Sequence, residues 1–352
     1  MTVTVAVDAG GADLGAAEVA AGAAIAAERG VRVRVFGDAR LIGPAPPGVE
    51  IVDAPVSIAK VPDPASAVRA APQSSIVQAA RAVAAGDADA LVSGGSTGAA
   101  LAASLFEIKR AHGIYRPALA IPVPVPGHPV TFVDVGANAE VRSEHLVQFA
   151  FMGAALAQVV LDVERPRVAL LSNGVEPGKG TRTLVDAHRE LAHRAGDAPE
   201  ALEFIGNIEG TDFTSGVADV VVTDGFTGNV ALKLMEGVSE TLLRAVRAAA
   251  TSSHRAKVGG LLLRRALGEL REELDPEDPG GAYLLGLRGL VVVPHGRFTR
   301  RGFSQAILRA ARGVEGDVIG RTHAALAAAG ALRRPPSGRP SMSDAPDSVT
   351  SP

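Results

Sequence analysis

Six stretches of this chain put a carboxylate, a hydroxyl or an amide beside glycine at the point where an apolar run stops. They are "VDAGGADLG" with Asp8 and Asp13, "LVSGGSTGAAL" with Ser96, Thr97 and Gly98, and "FVDVGANAE" with Gly136 and Asn138. Further on come "LLSNGVEPGKG" with Lys179, "FIGNIEG", and "VTDGFTGN" with Asp224, Gly225, Gly228 and Asn229. Glycine lets backbone approach an anion closely, and the free N–H groups of a helix that starts there attract one. Any one of these tips is more ordinarily an N-cap or a turn. Six of the same form favour a shared anion site, because the tips of a parallel sheet can reach one edge and one cleft. Lys179 can pair with a phosphate or simply be solvated in its turn. His295, in "VVVPHGR", can donate to an oxyanion or cap the strand before it. Glycine pairs alone mean little in a chain with 40 glycines among 352 residues.

Other chemistries lack their motifs. "GGADLG" does not have the G-x-G-x-x-G spacing of a dinucleotide loop, and no P-loop occurs. No G-x-S-x-G elbow is present, so a hydrolase triad has no nucleophile turn. The chain has no cysteine, which removes disulfides, thiolate metal sites and a cysteine nucleophile. Its eight histidines never fall in an H-x-x-x-H pair, so no metal is expected. A formal net charge of −3 gives no reason to expect nucleic acid. No apolar run reaches the ~18 residues of a membrane span, and the first residues lead directly into a strand with no basic signal region. The expectation is a soluble cytoplasmic protein.

The elements that must hold these residues alternate. Strands are predicted at 3–8, 31–36, 88–93, 118–123, 130–135, 167–171, 218–224 and 290–293, with helices at 13–28, 75–85, 98–111, 144–161 and 181–193 between them. That order predicts an α/β fold, a mostly parallel sheet with helices on both faces. The prolines of "IPVPVPGHP" make 123–127 an edge or a connection. Residues 237–274 read as a protruding helical hairpin interrupted at "TSSHRAKVGG". A single α/β domain is expected over 1–333, followed by a proline- and serine-rich disordered tail at 334–352.

The motifs "DAGGAD", "SGGSTGA", "RPALAIP", "DVGAN", "LVQFAFMG", "GVEPGKG", "FIGNIEG", "DGFTGNVALK" and "GGAYLLGLRG" occur in the order seen in the phosphate acyltransferase (PlsX) family, which the chain resembles over residues 3–315. The resemblance implies a three-layer α/β/α, Rossmann-like fold of the isocitrate/isopropylmalate dehydrogenase type. It implies transfer of a fatty acyl group from an acyl carrier protein thioester to inorganic phosphate, giving the acyl phosphate used in phospholipid synthesis. No cofactor is expected, since the phosphopantetheine arrives on the carrier. A homodimer and peripheral contact with an anionic membrane are also implied.

In that reading, the amides of Gly98, Gly136, Gly225 and Gly228 face phosphate or the tetrahedral oxyanion, with Ser96, Thr97, Asn138 and Asn229 adding side-chain bonds. Lys179 and His295 compensate charge or protonate the departing thiolate, and Lys179, Asn229 and His295 are the candidate catalytic residues. Asp8, Asp13 and Asp224 orient loops, because three carboxylates beside phosphate would repel it. On the hairpin, Leu262 and Leu263 with Arg264 and Arg265 suit an anionic membrane or an acidic carrier; a dimer-interface helix is the alternative. The chain departs from the family pattern at Ser96 (usually Asn), at Ser172 and Val175 (usually Asn and Glu), and at Tyr283 (usually Pro). Two other functions compete: a phosphotransacetylase-like transferase using short acyl-coenzyme A, and a non-catalytic scaffold that docks carrier or membrane.

Overall fold

The computed structural model describes residues 2–275 and 277–333. The tail expected at 334–352 lies outside the described residues. Eleven strands occur among them: β1 (Thr4–Asp8), β2 (Arg32–Gly37), β3 (Val49–Asp53), β4 (Ala90–Ser93), β5 (Ala118–Val123), β6 (Val130–Val133), β7 (Arg167–Leu171), β8 (Glu203–Ile208), β9 (Val220–Val222), β10 (Ala282–Leu285) and β11 (Leu290–Val293). They form one sheet in the order β3-β2-β1-β4-β11-β10-β5-β6-β9-β7-β8.

One layer of helices comprises α1 (Ala16–Ala27), α2 (Ala39–Ile42), α6 (Ser143–Val160), α7 (Arg182–Asp197), α10 (Arg300–Glu315) and α11 (Val318–Ala328). The other comprises α3 (Pro64–Ala70), α4 (Ser75–Ala85), α5 (Thr97–Ala103) and the first turns of α8 (Gly225–Thr251). Two apolar cores therefore sandwich the sheet, as the strands buried on both faces require; Val220–Val222 and Leu290–Val293 are examples. The three-layer architecture agrees with expectation.

The sheet is mostly parallel, as expected, but it reverses at its middle. β10 is antiparallel to both its neighbours, β11 and β5, and β5 is antiparallel to β6. Consequently β6, β9, β7 and β8 run opposite to β1, β2, β3, β4 and β11. The polar tips do not all leave one edge of the sheet, as a uniformly parallel sheet would require. Asp8, Ser93 and His295 leave one edge; Asp134, Ser172 and Asp224 leave the other. The cause is the β5–β6 hairpin, closed through Gly127 at φ 73°. Its prolines are tolerated because β10 stops pairing with β5 at Ala120, so Pro122 bonds to no strand on that side. Val123 belongs to the strand, and the connection begins after it.

The hairpin starts earlier than 237. α8 leaves β9 at Gly225 and runs 27 residues, and α9 (His254–Glu273) returns beside it. α8 has three faces. Ala231, Leu232 and Met235 pack on the sheet. Phe226, Val230, Leu234, Val238 and Leu242, one per helical turn, are exposed. Asn229, Lys233 and Glu236 form a polar stripe between these two faces.

Candidate active site

Asp134 sits at the tip of β6, fully buried, and its carboxylate collects five donors. Oδ1 accepts from the backbone N–H groups of Leu119 (3.1 Å), Gly136 (3.1 Å) and Ala137 (2.9 Å). Oδ2 accepts from Asn138 N (2.8 Å) and Asn138 Nδ2 (2.7 Å). Burial raises the Asp134 pKa, and these bonds oppose that shift. The arrangement winds "DVGAN" into a tight loop. Asn138 Nδ2 also donates to Pro117 O at 2.8 Å, tying the loop to the start of β5.

The N-terminus of α8 docks on that loop backbone to backbone. Gly225 N donates to Asn138 O at 2.7 Å, and Thr223 N donates to Val133 O at 2.7 Å. A β-carbon on Gly225 would lie 2.7 Å from Asn138 O, and one on Gly228 only 1.9 Å from Asp134 O. These two glycines are therefore required by contact between protein segments. Asp224 caps the helix: Oδ1 accepts from Thr227 N at 2.8 Å and Oδ2 from Thr227 Oγ1 at 2.7 Å. The amides of Gly136, Gly225 and Gly228 and the side chain of Asn138, expected to face an anion, are engaged within the protein in this structure. Asn229 is exposed beside Gly136, its side chain 3.9 Å from where a Gly136 β-carbon would be. Lys179, also exposed, rises from the β7 tip, one strand beyond β9 on the same edge, in a turn closed by Lys179 N donating to Glu176 O at 3.0 Å.

The other edge holds the second cluster. Asp8 is buried; Oδ2 accepts from Ser93 Oγ at 2.7 Å and Oδ1 from Gly10 N at 2.9 Å. Burial raises its pKa, against the hydrogen bonds of Ser75, Gly10 and Ser93. The two glycine loops it anchors touch, a Gly11 β-carbon falling 2.5 Å from the Gly95 Cα. Ser96 Oγ accepts from Ala99 N at 3.2 Å as the N-cap of α5, so serine does here what a capping asparagine would. Thr97 and Gly98 are exposed in the first turn behind it. Asp13 N donates to Gly296 O at 2.8 Å, joining the β1 loop to the segment after β11.

His295 lies there, against Phe298, and its Nδ1 accepts from Arg297 N at 3.3 Å. Partial burial lowers its pKa, reinforced by the positive charges of Arg297 and Lys233. A lowered pKa favours the neutral ring at pH 7, and with Nδ1 accepting from Arg297 N the proton falls on Nε2, which is then able to donate. Lys233 connects the clusters. It stands eight residues into α8, about 12 Å from Gly225 along the axis at 1.5 Å per residue, ion-paired with Glu236 at 2.8 Å. α8 thus bridges the edges, with Asn229 at one and Lys233 near His295 at the other.

Sequence reasoning quoted Asp134 in its motif without seeing a clamp, and it passed over Lys233. The first had a signal, a carboxylate followed by small residues whose N–H groups turn back on it. The second had one in the spacing of Asn229 and Lys233, four residues apart on a helix. Of the departures, Tyr283 is fully buried in the core facing α6 and α10, away from both clusters, its hydroxyl pKa raised by burial. Val175 is exposed, and the buried Ser172 Oγ has no hydrogen-bond partner among the described residues.

A long mixed sheet between two helical layers, reversed at its middle and crossed by one long helix, is the fold of phosphotransacylases and of a group of phosphosubstrate dehydrogenases. The EutD phosphotransacetylase of Staphylococcus aureus superposes with a TM-score of 0.59 at 18% identity, covering 89% of this chain and 94% of its own. 4-Hydroxythreonine-4-phosphate dehydrogenase of Klebsiella pneumoniae superposes with a TM-score of 0.51 at 15% identity, covering 88% and 98%. At these identities the likeness establishes fold alone. The sequence settles the family: the profile of the fatty acid synthesis protein family matches residues 3–321, and the chain belongs to that family. It is 41% identical over 330 residues to the phosphate acyltransferase of Thermobifida fusca, spanning 92% of this chain and 91% of the relative. It is 44% identical over 235 residues to that of a Geobacillus species, spanning 66% and 70%.

Proposed function

We propose that this protein transfers a fatty acyl group from an acyl carrier protein thioester to inorganic phosphate, releasing carrier thiol and acyl phosphate for phospholipid synthesis. The single observation that carries this reading is identity to phosphate acyltransferases along nearly the whole chain. In the reaction a phosphate oxygen attacks the thioester carbonyl, a tetrahedral oxyanion forms, and the carbon–sulfur bond breaks. The acceptor is itself an anion, so the protein needs to orient it and stabilise the intermediate; no protein nucleophile or cofactor is required.

The site geometry supports a division of labour. Asn229, one turn from Lys233, and Lys179, both exposed on the side of the Asp134 loop, receive phosphate, while the amides of the α8 end stay engaged with Asn138 and Asp224. Gly136, Asn138, Gly225, Gly228 and Asp224 hold that helix end in place. Neutral His295 donates Nε2–H to the oxyanion, and Lys233 supplies positive charge beside it. Asp8, Asp13, Ser96, Thr97 and Gly98 shape the loops on the same side. A short-chain coenzyme A donor is supported by fold alone. The discriminating assay is phosphate-dependent thiol release from long-chain acyl-carrier thioester against acetyl-coenzyme A; a preference for acetyl-coenzyme A contradicts the proposal.

The exposed apolar stripe of α8 supports a homodimer, because leaving five large side chains in water forgoes about 1.5–3 kcal/mol for each. The middle of α9 exposes Leu261, Leu262 (81% accessible) and Leu263 next to Arg264 and Arg265, which supports peripheral contact with an anionic membrane from the cytoplasm. Among the described residues no helix is long and apolar enough to cross a membrane.

A further inference from the structure

The loop between α5 and β5 carries Lys109, Arg110 and Arg116, all exposed. Arg288, on the turn from β10 to β11, is stitched to it: Arg288 N donates to Lys109 O at 3.0 Å and Arg288 Nε to Arg110 O at 3.2 Å, while Arg110 pairs with Leu287 as an isolated bridge. Arg333, at the end of the described chain, donates its backbone N–H to Gly113 O at 2.8 Å and closes the group. Among the described residues none of these five side chains is paired with a carboxylate, and Glu107, the one acidic residue of the loop, is taken by Arg81 at 3.1 Å. Five free cations on one surface stand out in a chain whose formal net charge is −3. Such a concentration focuses positive potential and steers an acidic partner.

The patch also adjoins the site. The loop ends at Pro117, whose carbonyl accepts the Asn138 amide of the Asp134 clamp. β10, which delivers Arg288, and β6, which delivers Asp134, end at the same edge of the sheet. From this geometry we infer that the cations of the 109–117 loop, with Arg288 and Arg333, dock the acidic surface of the acyl-bearing carrier protein. This inference rests on the proposed reaction for the identity of the partner. It places the carrier on the body of the protein beside the α8 N-terminus, and leaves the arginines of α9 to the membrane.

The test uses Lys109→Glu with Arg116→Glu, two side chains that make no hydrogen bonds within the described structure, in the full chain. A far-ultraviolet dichroism spectrum and melting curve matching the wild type show that the variant folds. Binding of fluorescently labelled acyl carrier protein, read by anisotropy without turnover, should weaken about tenfold or more, and wild-type binding should fall as salt rises. In turnover, KM for the carrier-bound donor should rise by a similar factor, while KM for the same acyl group on pantetheine stays within about twofold, because a docking surface acts only on the protein partner. Equal carrier affinity in wild type and variant overturns the inference, as does wild-type protein that fails to bind carrier. Loss of binding to phosphatidylglycerol vesicles with carrier binding intact also overturns it, making the patch a membrane surface. Wild-type protein that binds carrier through these residues but forms no acyl phosphate sinks the proposed reaction and leaves the docking surface standing.

Discussion

Gly228 on α8 lies so close to the tip of β6 that a β-carbon added to it would sit 1.9 Å from the Asp134 carbonyl oxygen. That contact sets the start of the long helix and with it the position of Asn229. Gly228→Ala forces the helix off the loop and should cost about 1–3 kcal/mol or more, as overpacked sites do. It should also lower kcat in whatever protein still folds. Chemical denaturation and steady-state kinetics on one preparation check both; full stability with full activity contradicts the docking role.

Asp134→Asn keeps the shape of the clamp but replaces one carboxylate oxygen by an N–H donor. Either oxygen lost faces donors: Leu119, Gly136 and Ala137 at one, two groups of Asn138 at the other. Leaving buried donors unmet costs about 1–3 kcal/mol each. The expected outcome is a melting temperature lower by many degrees and loss of phosphate-dependent turnover even at temperatures where the variant is folded. An unchanged melting curve removes Asp134 from the framework.

Much of the fold was readable before the structure, and the failures have identifiable causes. The double-sided burial of Val220–Val222 and Leu290–Val293 makes strands of them whatever surrounds them, and the alternation with helices sets the layers. Three strands are not predicted: β3 and β8, the end strands, where one side is unpaired and selection for apolar residues is weak, β8 also carrying Gly206 at φ 97° opposite a register shift, and β10, an interior strand of only four residues set between Gly281 and Gly286. The mostly parallel sheet follows from the alternation, but its reversal was not legible, because a hairpin at 123–130 and a connection look alike when prolines fill them. For the same reason the site was legible as residue types and not as a place: Asp8 and Asp134 read as equivalent tips, yet they leave opposite edges. Glycines read as anion-binding proved, at Gly225 and Gly228, to be contact points between backbones.

His295 provides a pH test. Its pKa lies below the ordinary 6.5 in the folded protein, chiefly from burial. Protonation keeps Nε2–H but destroys the Nδ1 acceptor for Arg297 N that aims the ring, so kcat/KM should hold at pH 6.5 and fall only as pH drops through the depressed pKa. The stability contribution has the same sense: full above pH 6.5, where both states are neutral, and lost as pH falls from there through the folded value, since the unfolded chain takes up the proton first. His295→Gln, which still donates an N–H, should lack this acid limb and retain more activity than His295→Ala, for which a loss of about 10²-fold is expected from removal of one oxyanion donor. Phosphate's own titration is common to all three proteins and cancels. A limb that persists in His295→Gln assigns it to another group.

The exposed stripe on α8 predicts a change of assembly. Leu234→Glu with Leu242→Glu puts two charges on the face that would meet a second copy, and light scattering should show a dimer for the wild type and a monomer for the variant. A wild type that is monomeric at tens of micromolar contradicts the dimer. On α9, Leu262→Glu with Leu263→Glu should abolish co-sedimentation with anionic vesicles while leaving the oligomeric state unchanged; retained sedimentation contradicts membrane contact through that part of α9.

The central claim is that phosphate is the acyl acceptor. Purified protein incubated with long-chain acyl-carrier thioester, then freed of protein and carrier by filtration in detergent before hydroxylamine is added (hydroxylamine also cleaves the thioester), should yield acyl hydroxamate only when phosphate was present, in an amount equal to the carrier thiol released during the incubation, and Asn229→Ala with Lys179→Met should lose this product. Thiol released at the same rate without phosphate, or with no trappable acyl phosphate, would show that water or another acceptor takes the acyl group and would contradict the account.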